Sequence, residues 1–570
     1  VTKPVIVLKF GGSVLRGEES VASAVSEIYR YVRQGSAVVA VVSAFHGETD
    51  RLLRHAATYG AAQRGRATPY LVALGETRSA ALLALAAERV GLQTRLRPPH
   101  EIGLRAGGDR HDASPVDVDT DRLRRDLDEA DVVVVPGFVA VGEHGETVLL
   151  GRGGTDLSAV FLAARLGARV RLLKDVDGVY DRDPALNRAG ARPFARITWA
   201  EAERLAHPLV QDKAVRLAAA VELPIEVAAL GAAYETVIGP DTAVRIAAPP
   251  AGEALRVALL GCGVVGGGVL ERLLDDPERF EPVAVLVRDV GRRAWHRAGG
   301  LFTDEVEELA SADADVLVDT GCGLEPSSDL IEAYLARGGA VVSANKQAVN
   351  AARTRFAAAI GAGGGRLLHS AAVGGGAPFL EAAARCRPDG VVGIEGVVNG
   401  TCNFVLERLA EGLTLDAAVH AATRAGFAEA DPSADLEGRD AAAKLELLAR
   451  AAAPDAPFVF KGADVLDASV TTPAQGRLKQ VARAVLGPHG WTGEVRLVAL
   501  LDSDFLAGAE AEENRLRLTL ADGRQVHTAG KGAGRWPTVE AVMADLYDLR
   551  REGRAAAVSR TAPRAKATAG

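Results

Sequence analysis

The chain has 570 residues, 48% of them hydrophobic and 25% charged. At roughly 150 residues per domain this predicts three to four domains of ordinary globular composition, which excludes wholesale disorder, a collagen-like repeat and a disulfide mini-protein. The net charge of −8 is small for this length, with both signs interspersed, so neither nucleic acid nor an anionic membrane is expected as the main partner. Four cysteines, Cys262, Cys322, Cys386 and Cys402, form no CxxC pair and have no nearby histidine. Neither a structural zinc nor a disulfide framework is therefore expected, and a reducing cytoplasm fits. No uninterrupted apolar run reaches the roughly 18 residues of a membrane span, and the N-terminus reads as a short buried strand rather than a signal peptide.

The chain alternates strand, loop and helix. Strands are expected at 5–8, 38–42, 132–135, 170–173, 257–260, 283–287, 316–318 and 340–342, and helices at 79–90, 157–166 and 269–274. The strands are short, β-branched and apolar on both faces, the pattern of parallel strands covered by helices on two sides. The fold class is α/β, with parallel sheets expected throughout.

The first strand runs into Lys9-Phe10-Gly11-Gly12-Ser13. There is no GxxxxGK[ST] loop, yet bare glycine amides beside a lysine suit a transferring phosphoryl group as well as they suit a plain turn. Next come Ser43-Ala44 with Thr49-Asp50, then Gly75-Glu76, Gly151-Arg152-Gly153-Gly154-Thr155-Asp156, and Lys174-Asp175-Val176-Asp177-Gly178-Val179-Tyr180. A Pro/Gly/Ala-rich stretch at 239–252 marks a boundary between modules of about 1–245 and about 254–552.

Directly after it a new strand leads into Gly261-Cys262-Gly263-Val264-Val265-Gly266 and a helix. In GxGxxG the first glycine makes the turn, the second admits a pyrophosphate, and the helix N-terminus favours the anion. Arg288-Asp289, Arg292 and Arg293 follow the second strand. An acid there takes a ribose hydroxyl and an arginine a 2′-phosphate, and the arginines tilt the expectation toward NADP over NAD. Ser343-Ala344-Asn345-Lys346 places a lysine past a buried strand, at the sheet edge where substrates sit. Asp440 and Lys444 are four apart at the start of an Ala/Leu helix and share a face, either as a functional pair or as a surface ion pair.

These residues resemble two families. GCGVVG, SANK, AAVGGGAP, NGTCN, AEADPSADLEGRDAAAK and the GKGAG at 530–534 with Pro537-Thr538 occur in this order in homoserine dehydrogenases, over about 254–550. The resemblance implies NAD(P)-dependent interconversion of aspartate semialdehyde and homoserine. It implies Lys346 and Lys444 as catalytic lysines, with Asp440 and Glu429 beside them. Glu429, Asp435, Asp440, Gly400 and Thr401 would bind the amino acid. Gly261, Gly263, Val264, Val265, Gly266, Arg288, Ser343, Lys346 and Gly532 would bind the cofactor. Val373 and Gly375 would offer backbone carbonyls to a monovalent cation, Na⁺ or K⁺. Phe427 stands where the family often has tyrosine.

Residues 1–240 resemble aspartate kinases of the amino-acid kinase fold, carried by GRGGTD and DVDGVY. The resemblance implies that Lys9, Gly11, Gly12, Ser13, Asp175, Asp177 and Tyr180 hold ATP with Mg²⁺, with Lys9 catalytic, and that Thr49, Glu76 and Arg152 bind aspartate. Pro208 falls where the family has a phosphate-reaching lysine; Lys213 or Lys174 could substitute. The two ACT-type regulatory domains usual in aspartate kinases have no counterpart here, so feedback inhibition by lysine or threonine through them is not expected.

The expected architecture is an amino-acid kinase domain (1–245), a linker (246–254), a Rossmann dinucleotide-binding domain (255–385), an inserted α+β catalytic and dimerisation domain (386–530), a return segment to the nucleotide domain (531–552) and a disordered tail (553–570). The expected protein is a cytoplasmic bifunctional enzyme of the aspartate pathway, a homodimer or homotetramer, acting on aspartate, aspartate semialdehyde and homoserine. A second reading keeps the dehydrogenase and makes the first module a non-catalytic amino-acid sensor or assembly domain; Pro208 favours it, whereas Lys9 and Arg152 oppose it. A third reading, a dinucleotide-binding redox sensor, is opposed by Lys346, Asp440 and Lys444.

Overall fold

A computed structural model describes residues 3–60, 65–184, 186, 191–206, 209–246, 254–293, 296–321, 323–425, 427–428, 431–471, 473 and 475–561, with side chains described up to 553 and not at 293. The chain divides into two units, one within residues 2–252 together with the chain from 547, the other within 253–546. The expected linker falls almost wholly outside the described residues.

The first unit is built on a nine-stranded sheet. Its order is Val244–Arg245, Phe194–Thr198, Thr236–Gly239, Ile225–Ala229, Arg169–Lys174, Val5–Phe10, Ala37–Val42, Val132–Pro136 and Thr94–Leu96. The central strands are parallel and almost entirely buried, as their unbroken Val/Leu/Ala runs require. In register, Lys9 lies between Val41 and Leu172, so Lys9 and Lys174 both stand at the carboxyl ends of neighbouring strands. A smaller four-stranded sheet, Asp112–Asp117, Arg105–Asp109, Val139–Val141 and Thr147–Leu149, completes the unit.

The helix Thr68–Arg89 is long and apolar enough to cross a membrane by length and composition, but 44% of its apolar window is buried within the protein. It also carries the buried carboxyl of Glu76, which marks it as a core helix.

The second unit opens with a six-stranded parallel sheet in the order Phe302–Thr303, Phe280–Leu286, Leu255–Leu260, Val316–Asp319, Ala340–Ser343 and Arg366–Leu368. In chain order this is 3-2-1-4-5-6, the doubly wound nucleotide-binding arrangement whose crevice lies at the carboxyl ends of the strands.

A further six-stranded sheet follows, in the order Phe458–Ala463, Gly490–Leu500, Arg477–Gly487, Val391–Val397, Glu513–Leu520 and Gln525–Lys531. All its pairings are antiparallel except the first, which is parallel. The expectation of parallel sheets is corrected for this sheet, which fits the α+β domain expected over 386–530. These strands are half-buried: Glu513–Leu520 alternates covered and partly open residues along its whole length, so its apolar residues recur every second position instead of forming a run. Helix Arg439–Ala452 packs on this sheet and shares its core, with Leu445, Leu448 and Ala449 among Trp491 and Val495.

Helix Arg535–Thr561 continues through 553–561, and residues 562–570 lie outside the described residues. Of the expected return segment, the part up to 546 stays with the second unit, where Glu540 pairs with Arg272 of helix Val264–Asp275 at 3.0 Å, and the chain from 547 belongs to the first unit, where Asp548 pairs with Arg33 at 3.4 Å.

Trp491 is 1% exposed in the core of the antiparallel sheet. Trp491→Ala is expected to cost about 3–5 kcal/mol in the unfolding of this unit, and Trp491→Phe markedly less. Equal denaturant midpoints for the two variants would show that the site collapses around the loss.

Candidate active sites

In the second unit the three glycines of the GxGxxG loop have three different reasons to be glycine. Gly261 has φ +89°, the left-handed region. A Cβ on Gly263 would meet nothing within 4 Å, leaving an open face at the start of helix Val264–Asp275. A Cβ on Gly266 would lie 2.1 Å from the Gly261 carbonyl oxygen, so the helix packs against the strand only without one. No side chain caps this helix, and Val264 is 71% exposed there, so its free amides suit a pyrophosphate. The residues present therefore fit a dinucleotide.

Arg288 stands exposed just past strand Phe280–Leu286, and Asp289 beside it is paired by Arg292 at 3.1 Å. Ser343 lies at the expected place but is fully buried, its hydroxyl donating to Asp319 at 3.0 Å. It supports the loop instead of offering its side chain to a cofactor.

Gly438, φ +72°, opens helix Arg439–Ala452 and places Asp440 in its first turn, with Lys444 one turn on and on the same buried side. Lys444 Nζ lies 2.8 Å from Asp440 Oδ2 and donates to the Val398 carbonyl at 2.7 Å. Lys346, the first residue of helix Lys346–Ala351, pairs with the other oxygen of Asp440. The two lysines and the acid converge as expected, and this is a buried cluster rather than a surface ion pair.

Asn399 donates to Asp435 at 2.7 Å and to Asp440 at 2.8 Å. Burial alone would raise the pKa of Asp440, but Lys444 and Lys346 hold it well below the usual carboxylate range. Asp435 is shifted the other way, by burial and by the neighbouring Asp440 charge. Two adjacent carboxyls are thus pushed apart in acidity, one held ionised and the other toward its protonated form.

Asn399 was legible as the cap residue opening NGTCN, and it does cap helix Gly400–Ala410; its second role, bridging two acids, was not. Gly400 lies at the start of that helix, and the Thr401 hydroxyl is engaged by the Phe427 carbonyl at 2.6 Å. Phe427 stacks on Phe404 with ring centroids 4.7 Å apart. Gly374 and Gly375 both have positive φ, and a Cβ on Gly375 would strike Gly532. Gly532 in turn leaves room for Asn514, whose amide donates to the same Val398 carbonyl at 3.2 Å. Val373 is fully buried beside this turn. Glu429 lies outside the described residues.

In the first unit a cavity of about 1070 Å³ is lined by Lys9, Gly11, Gly12, Ser13, Thr49, Glu76, Arg152, Asp175 and Tyr180 among others. Nine of the expected site residues therefore meet in one place. Lys9 Nζ lies 2.7 Å from Asp156 Oδ1, and Lys174 Nζ lies 3.0 Å from Asp156 Oδ2. Burial opposes charge on Asp156, but Lys174 and Lys9 outweigh it and hold its pKa at about 2. Lys174 is lowered to about 8, by burial first and by Lys9, against the pull of Asp156. Asp156, the last residue of GRGGTD, was not singled out from sequence as the carboxylate that gathers both lysines.

Lys213 pairs with Asp112, near the position of a Cβ on Gly151, and is not among the residues that line the cavity. Lys174, the alternative, is the lysine inside. Asp177 also stands back from the cavity wall, accepting from the Tyr234 hydroxyl at 2.9 Å, while Tyr234 and Tyr180 hydroxyls lie 3.3 Å apart. Pro208 lies outside the described residues. Glu76 is 2% exposed, and burial raises its pKa to about 8; its Oε2 has no hydrogen-bond partner among the described residues.

Gly263→Ala is expected to leave ligand-free thermal stability unchanged while weakening dinucleotide binding, whereas Gly266→Ala lowers both. Titration and melting curves in which the two variants behave alike would contradict these roles. For Glu76 the raised folded pKa, about 8 against an ordinary 4.5, means that its contribution to stability is full below pH 4.5. It declines as pH rises toward 8, where the folded state must release the proton. Glu76→Gln should therefore gain stability relative to the parent between pH 5 and 8.5, and a parallel pair of melting-temperature profiles would show that Glu76 ionises freely in the fold.

Residues 4–228 match the amino acid kinase family, 261–370 the NAD-binding domain of homoserine dehydrogenase, and 378–547 the homoserine dehydrogenase family. An aspartokinase of Helicobacter pylori is 37% identical over 202 residues, 35% of this chain and 50% of that protein; the chain thus spans about half the length of that relative. A homoserine dehydrogenase of Synechocystis is 30% identical over 329 residues, 52% of this chain and 73% of that protein. A solved homoserine dehydrogenase from Thiobacillus denitrificans shares 30% identity, covering 53% of this chain and 75% of that one, with a TM-score of 0.49. The chain belongs to the homoserine dehydrogenase family and carries an amino acid kinase domain ahead of that part.

Proposed function

We propose that this is a bifunctional enzyme of the aspartate pathway: its first unit transfers phosphate from ATP to the side-chain carboxylate of aspartate, and its second interconverts aspartate 4-semialdehyde and homoserine with a nicotinamide cofactor. The observation that carries the reading is that each unit gathers two lysines on one buried carboxylate and also carries a glycine loop of the kind its substrates need.

In the second unit the bound cofactor supplies the hydride. Charge develops on the substrate oxygen as the aldehyde is reduced, and the chain's own groups answer it. Lys346, Lys444 and ionised Asp440 sum to one positive charge, which stabilises the oxygen. Lys346 is the more open of the two lysines, its side chain 35% exposed against 11% for Lys444, so it is the one placed to give the proton. Asp435, its acidity weakened by burial and by Asp440 in the free protein, would be drawn toward its ionised form by the substrate ammonium. Exposed Arg288, with Asp289 neutralised by Arg292, favours NADP over NAD.

In the first unit, phosphoryl transfer needs positioning and charge neutralisation more than covalent chemistry. Lys9 and Lys174 present two ammonium groups toward the Gly11-Gly12 loop, with Mg²⁺ entering on ATP. Arg152 offers a bidentate clamp for a carboxylate. Glu76 ionises when the ammonium of aspartate offsets its burial. Lys174 supplies the cation that the proline at 208 lacks, so the non-catalytic alternative is not favoured. Self-association as a dimer or tetramer, a monovalent cation on the carbonyls of Val373 and Gly375, and a cytoplasmic setting belong to the same proposal.

Two assays on the full chain test it: aspartate- and ATP-dependent hydroxamate formation, and homoserine-dependent NADP reduction. Lys9→Ala and Lys174→Ala should each lower the first by at least about 100-fold and spare the second; Lys346→Ala and Lys444→Ala should do the reverse; Lys213→Ala should leave both intact. A chain that oxidises homoserine but forms no hydroxamate would restore the sensor reading of the first unit.

A further inference from the structure

Asp319 is fully buried at the end of strand Val316–Asp319, and no role in the chemistry above requires it. Its register places it between Leu260, the last residue before the glycine loop, and Ser343, three residues before Lys346. Its carboxylate accepts from the Gly321 amide at 2.9 Å, the Ser343 hydroxyl at 3.0 Å and the Ser327 hydroxyl at 3.2 Å.

Both serines then hold Asn345. The Ser343 oxygen accepts from the Asn345 amide at 3.1 Å, and the Ser327 oxygen accepts from the Asn345 side chain at 3.1 Å. Asn345 caps the helix whose first residue is Lys346, its side-chain oxygen accepting from the Ala348 amide at 3.2 Å. The residue after Asp319 serves the other loop: the Thr320 hydroxyl donates to the carbonyls of Leu260 and Gly261 at 3.1 and 3.0 Å.

We propose, on the dehydrogenase reading above, that Asp319 is a positioning residue for the hydride-transfer site, fixing the Asn345 cap and so the ammonium of Lys346 relative to the cofactor loop. An isolated buried carboxylate is costly, and one that accepts three donors is tolerated where those donors are thereby locked in place. A serine hydroxyl can rotate; with Asp319 as acceptor it cannot without losing a bond on each side. The lysine and the glycine loop are thus referenced to one rigid strand end.

The test is kinetic, on the full chain, with aspartate hydroxamate formation by the first unit as an internal control of folding. Asp319→Asn removes the negative acceptor at constant size. It is expected to lower kcat for homoserine oxidation by about 10- to 100-fold, the scale of a small misplacement of a reacting group, with KM for homoserine within about threefold. In a Lys346→Ala background the same substitution should cost less than about threefold, because the group it positions is gone. Ser343→Ala should give a weaker form of the same split, and it carries the test alone if Asp319→Asn does not fold. An unchanged kcat, or an equal loss with and without Lys346, overturns the inference. A parent enzyme inert toward homoserine overturns the dehydrogenase reading and this inference with it, a result distinct from an active parent with an indifferent variant.

Discussion

In each unit of this chain one buried carboxylate holds two lysines. Asp440 does so for Lys346 and Lys444, and Asp156 for Lys9 and Lys174. A lone buried acid would take up a proton, and a lone buried lysine would lose one. Two cations around one anion leave each triad with a net positive charge. Removing the acid would leave two ammonium groups repelling each other, the uncompensated arrangement that costs most.

The two sites reach this arrangement by different routes. In the first unit both lysines stand at the ends of adjacent parallel strands and the acid comes from the first turn of helix Gly154–Leu166. In the second, acid and one lysine share a helix face, while the other lysine begins a short helix beyond a parallel strand. The common element is a parallel sheet whose carboxyl edge collects loops, with glycines wherever backbone must approach backbone. Gly266 is such a position, since a Cβ there would fall 2.1 Å from the Gly261 carbonyl oxygen, whereas Gly532 makes room for the Asn514 side chain.

A large part of this was legible in the residues. Unbroken valine and leucine runs marked the parallel strands, and GxGxxG between a strand and a helix marked the nucleotide end. The spacing of Asp440 and Lys444 placed them on one face. An α+β domain was expected at 386–530, but its individual strands are not legible in the residues, because they are open on one side and carry arginine, lysine and glycine between the apolar positions, as in Arg477–Gly487. Alternation at period two was the available signal. Lys213 and Lys174 could not be ranked from sequence either, because one lies on helix Asp212–Ala220 and the other at the end of strand Arg169–Lys174, and only the packing of those elements decides which one enters the cavity.

What the sequence by itself determined is the local chemistry: which turns need glycine, which strands are buried on both faces, and which helix carries an acid and a base one turn apart. Those follow from sterics and periodicity within a few residues. Only the tertiary structure decided that Asn399 bridges Asp435 and Asp440, that Asp156 gathers Lys9 and Lys174, and that Asp319 ties Ser327 to Ser343. Each of these joins positions far apart in the chain, and whether two such groups meet depends on strand order and register, which no short stretch of sequence encodes.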